Sequence, residues 1–581
     1  QSDPSRPAYV EEIREVWERR ETWYNECSNF TFFAPHCSDE VQFQNLRRAF
    51  ENYISTITGV REVQIPTKRS SFVCLTFDDL RKKVDDLPAI VYGCDAVEVR
   101  VDHLAKLDAD YVSKQLSLLR TATDSLPIIF TIRTKKQGGK FPDEDYQCLE
   151  DLFRTALKAG VEFIDLELTL PTQLQYKVLN NKGFTKIIGS HHDFDGAFSW
   201  DNAEWENRYN QALSLDVDVI KFVGMAKSFE DNLALERFRG NHKSKPLIAI
   251  NMSEFGKVSR VLNTVLTPIT SELLPNAAAP GQLTLAQINQ TYTSMGGIQP
   301  KEFYVVGKPI GHSRSPILHN TGYKLLGLPH TFDKYETDLA AEIKKELLDG
   351  KSNLGGLAVT IPLKLDIMKY MSELTEAAKL VGAVNTVTPL GNSNFQGDNT
   401  DWLGIRNALI GNGVPESLAG VSGLVIGAGG TSRAAIYALH SLGCSQIFII
   451  RTTSKLAELK NSFPESYNVV AIGSASEIEA LETSVGVAVN CVPGDKPLDD
   501  ALLGKLERFL TKATHSSFIP TLLEAAYKPA VTPVMKIAHD KYQWQVIPGS
   551  QMLVHQGVAQ FQKWTQLKAP FKAIFDAVTR D

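Results

Sequence analysis

The residue best suited to covalent chemistry is Lys221, which stands in the apolar run Asp-Val-Ile-Lys-Phe-Val at residues 218–223. Burial among such neighbours disfavours the charged ammonium, so we expect a lowered pKa and a larger fraction of free amine. A neutral lysine amine attacks a ketone and forms an imine, which then acts as an electron sink. The alternative is a structural lysine whose ammonium extends to the surface.

His192 is the second candidate, because it lies at the end of the preceding apolar strand, in Ser-His-His-Asp-Phe at residues 190–194. A histidine can take a proton α to an imine and return one to a leaving hydroxyl. Either Asp165 or Glu167, which share one face of another strand, would orient its ring, and the sequence leaves both open. His191 points to the opposite face and is expected to be structural.

Further ionisable groups lie where strands end. Glu98, Arg100 and Asp102 alternate with valines and therefore share a face, and Arg133 closes the next strand. A barrel lumen is normally packed with apolar side chains, so this pattern indicates a polar active site. The alternative is an ion-pair network that only caps the barrel.

A dinucleotide site is predicted where the apolar strand Gly420–Ile426 runs into Gly427-Ala-Gly429-Gly430-Thr-Ser432 and then a helix. The glycines permit a tight turn and close approach of a pyrophosphate, whose charge the helix N-terminus favours. An ordinary strand-to-helix turn is the alternative. The next strand ends in Arg451-Thr452-Thr-Ser-Lys455, where an NAD enzyme usually has a carboxylate, and this favours the 2′-phosphate of NADP(H).

A third group of polar residues precedes this turn. Ser313 and Ser315 alternate ahead of a helix and suit a small carboxylate, whereas Lys364 follows a strand that contains Thr360. Reduction of a ketone requires a proton donor to the developing alkoxide, and Lys364 paired with Asp401 would be one. Taken singly, such residues are usually surface groups.

The elements that must position these residues change character near residue 300. Before it, eight apolar strands alternate with helical stretches over ~220 residues, which fits a closed (β/α)8 barrel better than an open sheet. The predicted strands are Phe72–Phe77, Ala96–Val101, Ile128–Arg133, Phe163–Leu168, Lys186–His191, Val217–Val223, Leu247–Met252 and Ile269–Leu274. After it, strands at Phe303–Val306, Gly356–Ile361, Gly420–Ile426 and Gln446–Ile450 predict two α/β lobes, the second a Rossmann-type NADP domain.

We therefore expect an α/β chain of four parts: a connector (1–66), the barrel (67–292), a substrate lobe (300–403, completed by about 550–581) and the NADP lobe (404–549). A net charge of −6 over 581 residues gives no sign of a nucleic-acid or membrane partner. Seven scattered cysteines without a CxxC pair argue against disulfides and a zinc site, so we expect no metal and a cytoplasmic location. The first residues are neither a signal peptide nor an initiator methionine, so we expect the chain to begin inside a longer one.

Several ordered motifs resemble type I 3-dehydroquinate dehydratase along residues 70–292. They are Glu98–Asp102, Ile164–Leu168, Ser190–Phe194, Ile220-Lys221, Ser259-Arg260 and Ala279–Gln282. The resemblance implies that Lys221 forms an imine with the C3 ketone of 3-dehydroquinate and that His192 is the acid/base. It also implies that the substrate is bound by Glu98, Arg100, Arg133, Arg260 and Gln282. The chain departs from the family pattern at Gln137, where a glutamate is common, and at Ala278, where a serine is common.

Residues 300–581 resemble shikimate dehydrogenase, through the motifs around Ser313, Lys364, Asn385 and Asp401 together with Ala526–Pro529 and Met552–Gly557. The resemblance implies that Lys364 and Asp401 are catalytic in the reduction of 3-dehydroshikimate to shikimate. It implies substrate contacts from Ser313, Ser315, Thr360, Asn385, Tyr527 and Gln556. The cofactor residues would be Gly427, Gly429, Gly430, Ser432, Arg433, Arg451, Thr452 and Lys455. Ala358 and Ile450 each stand where the family pattern has an asparagine.

The segment Arg6-Pro-Ala-Tyr-Val10 resembles the end of shikimate kinase, but no GxxxxGK[ST] phosphate loop occurs in the chain, so kinase activity is not expected. Kinase end, dehydratase and dehydrogenase in this order resemble the C-terminal part of the pentafunctional AROM polypeptides. A plant-type dehydratase–dehydrogenase is the alternative, and it leaves residues 1–60 unexplained. The sequence does not decide whether the chain forms a homodimer. A non-catalytic ligand sensor with both folds is the alternative from another class, disfavoured because Lys221, His192, Lys364 and Asp401 are all present.

Overall fold

The computed structural model describes residues 13–37, 40–451, 455–481, 484–494, 498–512 and 518–580. The chain divides into two compact units, one formed by residues 1–38 and 45–285 and the other by residues 39–44 and 286–581. The segment that resembles the end of shikimate kinase, residues 6–10, lies outside the described residues.

The first unit contains eight parallel strands that form a nearly closed barrel, in the order β7-β6-β5-β4-β3-β2-β1-β8. The strands are β1 Ser71–Leu75, β2 Ala96–Arg100, β3 Ile128–Thr131, β4 Phe163–Glu167, β5 Lys186–His192, β6 Val219–Met225, β7 Leu247–Met252 and β8 Thr267–Ile269. The predicted barrel is confirmed. The eighth strand was placed too late, because the amide of Leu274 bonds to the carbonyl of Ser271 (3.1 Å) and makes a turn there.

Helices surround the barrel, and several begin at a side-chain cap. They are α1 Ile13–Cys27, α2 Glu40–Ile57, α3 Leu87–Ile90, α4 Ala109–Ala122, α5 Tyr146–Lys158, α6 Thr172–Asn181, α7 Ala203–Ser214, α8 Glu230–Asn241 and α9 Lys257–Leu262. Asp108, Asp145 and Asn202 accept from free amides in the first turns of α4, α5 and α7. These caps fix where each crossover turns back to the barrel.

The barrel interior divides into an apolar and a polar half. A cluster that includes Phe72, Ile129, Phe163 and Ile248 fills the amino-terminal half. The ionisable side chains all lie towards the carboxyl ends of the strands, the side on which (β/α)8 barrels carry their active sites.

The second unit contains two six-stranded sheets. One is mixed, in the order β10-β9-β11-β13-β14-β12, and the other is wholly parallel, in the order β17-β16-β15-β18-β19-β20. The strands are β9 Glu302–Gly307, β10 Thr331–Glu336, β11 Leu354–Val359, β12 Glu373–Leu374, β13 Thr386–Gly391, β14 Asn394–Asp398, β15 Ser422–Ile426, β16 Gln446–Ile450, β17 Val469–Ile472, β18 Val485–Asn490, β19 Thr521–Glu524 and β20 Gln545–Ile547.

The helices of the second unit pack against both of its sheets. They are α10 Leu285–Ser294, α11 Ser315–Leu325, α12 Ala340–Ile343, α13 Glu376–Val381, α14 Asp401–Gly411, α15 Gly430–Ser441, α16 Lys455–Asn461, α17 Ala475–Glu479, α18 Asp500–Thr511, α19 Pro533–Lys536, α20 Gly549–Thr565 and α21 Phe571–Thr579. One apolar cluster contains Val425 and Ile449, and another contains Leu424 and Phe448, as alternation along β15 and β16 requires.

Two helices of the second unit approach unusually closely. A Cβ on Gly404 of α14 would lie 2.7 Å from the carbonyl oxygen of Met552 and 2.9 Å from Cβ of Gln556, both on α20. The absence of a side chain at Gly404 therefore sets the spacing of these helices, and with it the positions of Asp401 and Gln556.

Within the described residues, no helix combines the length and apolar character that crossing a bilayer requires.

Candidate active sites

A cavity opens at the carboxyl ends of the barrel strands, and its polar lining contains most of the residues that the sequence singled out. Its lining includes Glu98, Arg100, Arg133, Gln137, His192, Lys221, Arg260 and Gln282. The structure therefore brings together all of the predicted dehydratase residues, which come from six separated parts of the chain.

Lys221 lies on β6, buried, with its ammonium 2.8 Å from Oδ2 of Asp165 and 3.3 Å from Oε1 of Glu98. Burial is the largest single effect on the pKa of Lys221, and it lowers that pKa. Asp165 and Glu98 together outweigh burial, so the pKa of Lys221 is raised above its ordinary value. The expected lowering of the Lys221 pKa was therefore wrong. The apolar neighbours in the sequence do not reveal two carboxylates that other strands bring to the amine.

Asp165 and Glu167 belong to a buried network centred on Arg133. The Arg133 guanidinium contacts Asp165 at 2.9 Å and Glu167 at 3.0 Å, and it also donates to the Ser190 hydroxyl. Burial opposes ionisation of Asp165, but Arg133 and Lys221 lower its pKa to about 2. Burial raises the pKa of Glu167, which accepts from the amide and hydroxyl of Thr134.

His192 is held through its backbone, not through its ring. Its amide donates to Oε1 of the buried Gln137 at 2.7 Å, whereas its Nδ1 is buried without a hydrogen-bond partner. Neither Asp165 nor Glu167 bonds to the ring, so the prediction that one of them orients it was wrong. Burial, with the nearby charges of Arg133 and Lys221, holds the His192 pKa well below its usual range.

The wall of the cavity also contains the guanidinium of Arg260, which has hydrogen-bond donors that are not used. Arg260 is buried, its Nη2 donates to the carbonyl of Pro280 at 3.3 Å, and its Nε and Nη1 have no partner in the described chain. Burial lowers its pKa to about 10. Gln282 donates to Sγ of Cys74 at 3.4 Å, and Cys74 lines the cavity although sequence reasoning missed it. A single cysteine in an apolar strand carries no signal that would have identified it.

Arg100 and the loop after β3 complete this site. Arg100 forms a buried two-point ion pair with Asp102 at 2.9 and 2.8 Å. Gly138 has φ +81°, and a Cβ there would overlap the ring of Phe194, so this loop and the segment after β5 fit closely together. Ala278, the other departure from the family pattern, lies on the cavity wall and presents its backbone amide to Gln282 at 2.8 Å.

A second cavity lies in the second unit and contains every residue predicted to act on the other substrate. Its lining includes Ser313, Ser315, Thr360, Lys364, Asn385, Asp401, Tyr527 and Gln556. Ala358 also contributes to the wall. The residues come from the segments that follow β9, β11 and β19, from the residue before β13, and from α11, α14 and α20, so no local stretch of sequence could have shown the grouping.

A chain of hydrogen bonds fixes the Lys364–Asp401 pair. The Lys364 ammonium bonds to Oδ2 of Asp401, and Oδ1 of Asp401 accepts from the Asn385 side chain at 2.8 Å. The side-chain oxygen Oδ1 of Asn385 in turn accepts from the Thr400 amide at 2.7 Å. Both ends of the Asn385 amide are thus committed to positioning the carboxylate.

Gln560 is a residue of this cavity that sequence reasoning missed. It follows Gln556 by one helical turn on α20, and its side chain donates to the Asn385 carbonyl at 3.2 Å and to the Thr386 hydroxyl at 3.0 Å. The spacing of four residues on a helix was the available signal, because such residues share a face.

The glycine-rich turn joins β15 to α15 and depends on the absence of side chains at two of its positions. Gly427 has φ +129°, a conformation that favours glycine, and Gly429 has no neighbouring atom within 4 Å of a Cβ position. The fully buried Ser432 accepts from the Gly429 amide at 3.2 Å, so its side chain shapes the turn from behind. Arg433 lies on the helix, with its Nη1 3.4 Å from a Cβ position on Gly382.

The basic residues predicted to select NADP follow the neighbouring strand. The amide of Gly427 donates to the carbonyl of Ile450 at 3.0 Å, which places Arg451 directly beyond the same edge of the sheet. Lys455 begins α16 and is exposed. Thr452 lies outside the described residues. The Ile450 side chain packs in the core and does not face this edge.

Among the described residues there is no group of three or more His, Cys, Asp or Glu side chains that could hold a metal ion.

Comparison with known proteins identifies families for both units. Residues 71–299 match type I 3-dehydroquinase, residues 305–387 the shikimate dehydrogenase substrate binding domain, and residues 549–578 the shikimate 5′-dehydrogenase C-terminal domain. The solved dehydroquinate dehydratase and shikimate dehydrogenase from S. pombe AroM is 41% identical, with a TM-score of 0.76, over 91% of this chain and 100% of its own. The chain belongs to the AROM family.

Curated relatives agree over the whole length of this AROM chain. It is 72% identical over 582 residues to the pentafunctional AROM polypeptide of Saccharomyces cerevisiae strain YJM789 and 65% identical over 581 residues to that of Kluyveromyces lactis. Both alignments cover 100% of the chain and 37% of the relative, so the chain spans about 37% of the length of these polypeptides. The family predictions made for the two halves are confirmed, as is their order.

Proposed function

We propose that the barrel dehydrates 3-dehydroquinate to 3-dehydroshikimate and that the second unit reduces 3-dehydroshikimate to shikimate with NADPH. The observation that carries the proposal is the placement of Lys221 and His192 in one buried cavity whose remaining polar groups are mostly cationic or amide donors. Such a cavity suits a ketone that carries hydroxyls and a carboxylate. Membership of the AROM family supports both activities.

Lys221 must lose its proton before it reacts, since its pKa is raised in the free protein. Asp165 and Glu98 are the nearest acceptors. The free amine then adds to the C3 ketone, and loss of water gives an imine. Neutral His192 takes the α proton, the electrons shift into the imine, and the hydroxyl leaves as water with the proton that His192 returns. A second water hydrolyses the imine and frees Lys221.

The substrate contacts follow from the donors that remain available. Arg260 has two unpaired guanidinium nitrogens, which suit the carboxylate of the substrate. Glu98, Arg100, Arg133 and Gln282 would bind its hydroxyls.

Borohydride reduction tests the imine. Added together with 3-dehydroquinate, it should fix the substrate on Lys221, and peptide mass spectrometry should locate the adduct there. The variant Lys221→Arg should give no adduct, whereas Lys257→Arg, at a partly exposed lysine on α9 that pairs with Glu254, should react as the wild type does. An adduct on another lysine would contradict the assignment.

In the second unit, Lys364 is proposed to donate a proton to the oxygen of the ketone as it is reduced. NADPH, when bound, supplies the hydride for the carbonyl carbon. Asp401 holds the ammonium of Lys364, and Asn385 holds Asp401, so the donor is fixed before substrate arrives. Ser313, Ser315, Thr360, Tyr527 and Gln556 would bind the carboxylate and hydroxyls of the substrate, whereas Asn385, expected from the sequence to bind substrate, would act by holding Asp401.

The glycine turn fits a dinucleotide, because no atom lies within 4 Å of a Cβ position on Gly429, which leaves a pyrophosphate room to approach the N-terminus of α15. Gly430 and Arg433 would add to this contact, and Ser432 would support it from behind. Arg451, Thr452 and Lys455 would bind the 2′-phosphate of NADP.

Cofactor selection is tested with Arg451→Ala. It should raise the KM for NADPH at least tenfold, about 1.4 kcal/mol, and leave that for NADH nearly unchanged. The control Arg508→Ala, a surface arginine paired with Glu479, should behave as the wild type. Equal losses with both cofactors would remove the proposed role of Arg451.

None of the seven cysteines, all of which lie in the described part of the chain, forms a disulfide, and this agrees with the proposed cytoplasmic location. A homodimer stays a prediction, which sedimentation velocity would decide.

A further inference from the structure

Glu524 ends β19 with its carboxylate fully buried, and it links three segments of the second unit. Its Oε2 accepts from the Asn490 side chain at 2.7 Å and from the Thr532 hydroxyl at 2.6 Å. Its Oε1 accepts from the amide of Ala526 at 3.0 Å. Glu524 thus joins the end of the neighbouring strand β18 to both ends of the segment that runs from β19 to α19.

All three partners are donors, so the ionised carboxylate is the form that matches them. Within the described chain no lysine, arginine or histidine forms an ion pair with Glu524, and burial raises its pKa. A buried carboxylate with neutral partners alone is costly to the fold, and a neutral side chain would fill the same space at lower cost. This cost makes a purely structural role a poor explanation.

Glu524 holds the segment 525–532 in place, and this segment contains Tyr527, which lies at the substrate cavity. Tyr527 and Ala525 both line the cavity, and the Tyr527 hydroxyl makes no hydrogen bond to any described residue. The backbone of the segment is also closely packed, since a Cβ on Gly549 would lie 2.5 Å from the Ala526 carbonyl oxygen and one on Gly494 2.7 Å from Thr532. The segment therefore has one defined position, and the Tyr527 hydroxyl is available to a ligand.

We propose that Glu524 is a positioning residue for the second substrate, acting through Tyr527: its charged oxygens hold the segment 525–532 so that the phenol meets a substrate hydroxyl or carboxylate. The inference rests on the proposed function, because it requires that this cavity binds shikimate.

The variant Glu524→Gln tests this inference. Glutamine has nearly the same shape as glutamate, but its side-chain NH2 group is a donor and would face at least one of the three groups that now donate to Glu524. We expect the KM for shikimate to rise about tenfold, equivalent to about 1.4 kcal/mol, with kcat changed less than threefold. The dehydratase activity of the same polypeptide serves as an internal control and should not change. Glu458→Gln, at an exposed glutamate on α16, is the matched control and should leave both activities as in the wild type.

A double-mutant cycle with Tyr527→Phe separates positioning from general stability. If Glu524 acts through the phenol, adding Glu524→Gln to Tyr527→Phe should raise the KM less than twofold further. Additive effects, or an unchanged KM in the single variant, would overturn the inference. A wild-type chain that does not oxidise shikimate would instead overturn the proposed function.

Thr532 provides a second route if Glu524→Gln does not fold. Thr532→Val removes one of the three donors and should raise the KM for shikimate, whereas Thr532→Ser keeps the hydroxyl and should restore it. Equal KM values in these two variants would also overturn the inference.

Discussion

Lys221 shows how opposing effects on one residue are decided by distant partners. Burial lowers its pKa and two carboxylates raise it, and the carboxylates prevail. Asp165 and Glu98 precede Lys221 by 56 and 123 residues, so their effect on the amine could not be seen in the sequence around it. The apolar strand was enough to single out Lys221 as a candidate nucleophile, but it did not reveal the direction of the Lys221 pKa shift.

Removing one of these carboxylates should therefore lower the Lys221 pKa. In Glu98→Gln, the amide can still accept from the Thr131 hydroxyl, but the negative charge near the ammonium is lost. We expect reductive methylation of Lys221 by formaldehyde and cyanoborohydride, followed by peptide mass spectrometry, to reach half its maximal rate at a lower pH. Glu254→Gln, at an exposed glutamate beside Lys257, should leave the profile unchanged. A shift to higher pH would contradict the electrostatic account.

His192 should stay neutral at pH values where an ordinary histidine is charged. Its lowered pKa means that protonation begins only well below pH 6.5, so the ring is a free base throughout the neutral range. Nitrogen-15 NMR of labelled histidine, assigned by comparison with His192→Gln, should show no titration of this ring between pH 8 and 6. Titration of His192 near pH 6.5 would mean that its surroundings are more hydrated than the structure indicates.

At the scale of elements, strand alternation and the βα rhythm were enough to predict the barrel. The predicted β7, Leu247–Met252, has the observed bounds, and most other strands differ by one or two residues. The eighth strand was misplaced because the apolar residues Leu273 and Leu274 lie in a turn, where periodicity cannot distinguish them from a strand. Gln560 was missed for a different reason, since its partners Asn385 and Thr386 lie on another element.

The close contact of α14 and α20 makes Gly404→Ala an informative change. A methyl group there meets the backbone of Met552, so the helices must separate, and overpacking of this kind costs about 1–3 kcal/mol. We expect a lower melting temperature by calorimetry and a several-fold loss of dehydrogenase activity, because Asp401 begins α14 and Gln556 lies on α20. Dehydratase activity should persist.

The matched control is Gly504→Ala on α18, where the nearest atom is the flexible Arg508 guanidinium at 3.5 Å. Alanine is favoured over glycine in a helix, so this variant should be neutral or slightly stabilised. Equal behaviour of the two variants would show that the spacing of α14 and α20 does not depend on Gly404.

At the scale of the whole molecule, each unit contains a complete set of the residues proposed for one activity. The two activities should therefore be separable. A mixture of Lys221→Arg and Lys364→Ala proteins should convert 3-dehydroquinate to shikimate with NADPH, after a lag in which free 3-dehydroshikimate accumulates. Absorbance of the enone and of NADPH follows both steps. Failure of the mixture, with each variant retaining its other activity, would show that the intermediate does not pass between separate molecules.

Motif order was the strongest predictor at this scale. The families of both halves, and their sequence along the chain, followed from short segments around Lys221, Lys364 and the glycine turn. Those segments could not show which tertiary contacts hold their residues in position. Gln137 at the His192 amide, Thr400 at Asn385 and Glu524 at Asn490 are tertiary contacts that no single one of these segments contains.

The side-chain amide of Asn385 uses both its nitrogen and its oxygen in hydrogen bonds, and this limits which residues of the cavity can change when a new substrate is selected. Its nitrogen serves Asp401 and Thr400 and its oxygen serves Thr400 and Thr386, so any substitution disturbs several partners at once. By contrast, Ser313 and Ser315 on the cavity wall share only one weak bond, at 3.3 Å. In a library selected to accept a different cyclic acid, changes should accumulate at positions 313 and 315, while position 385 stays invariant.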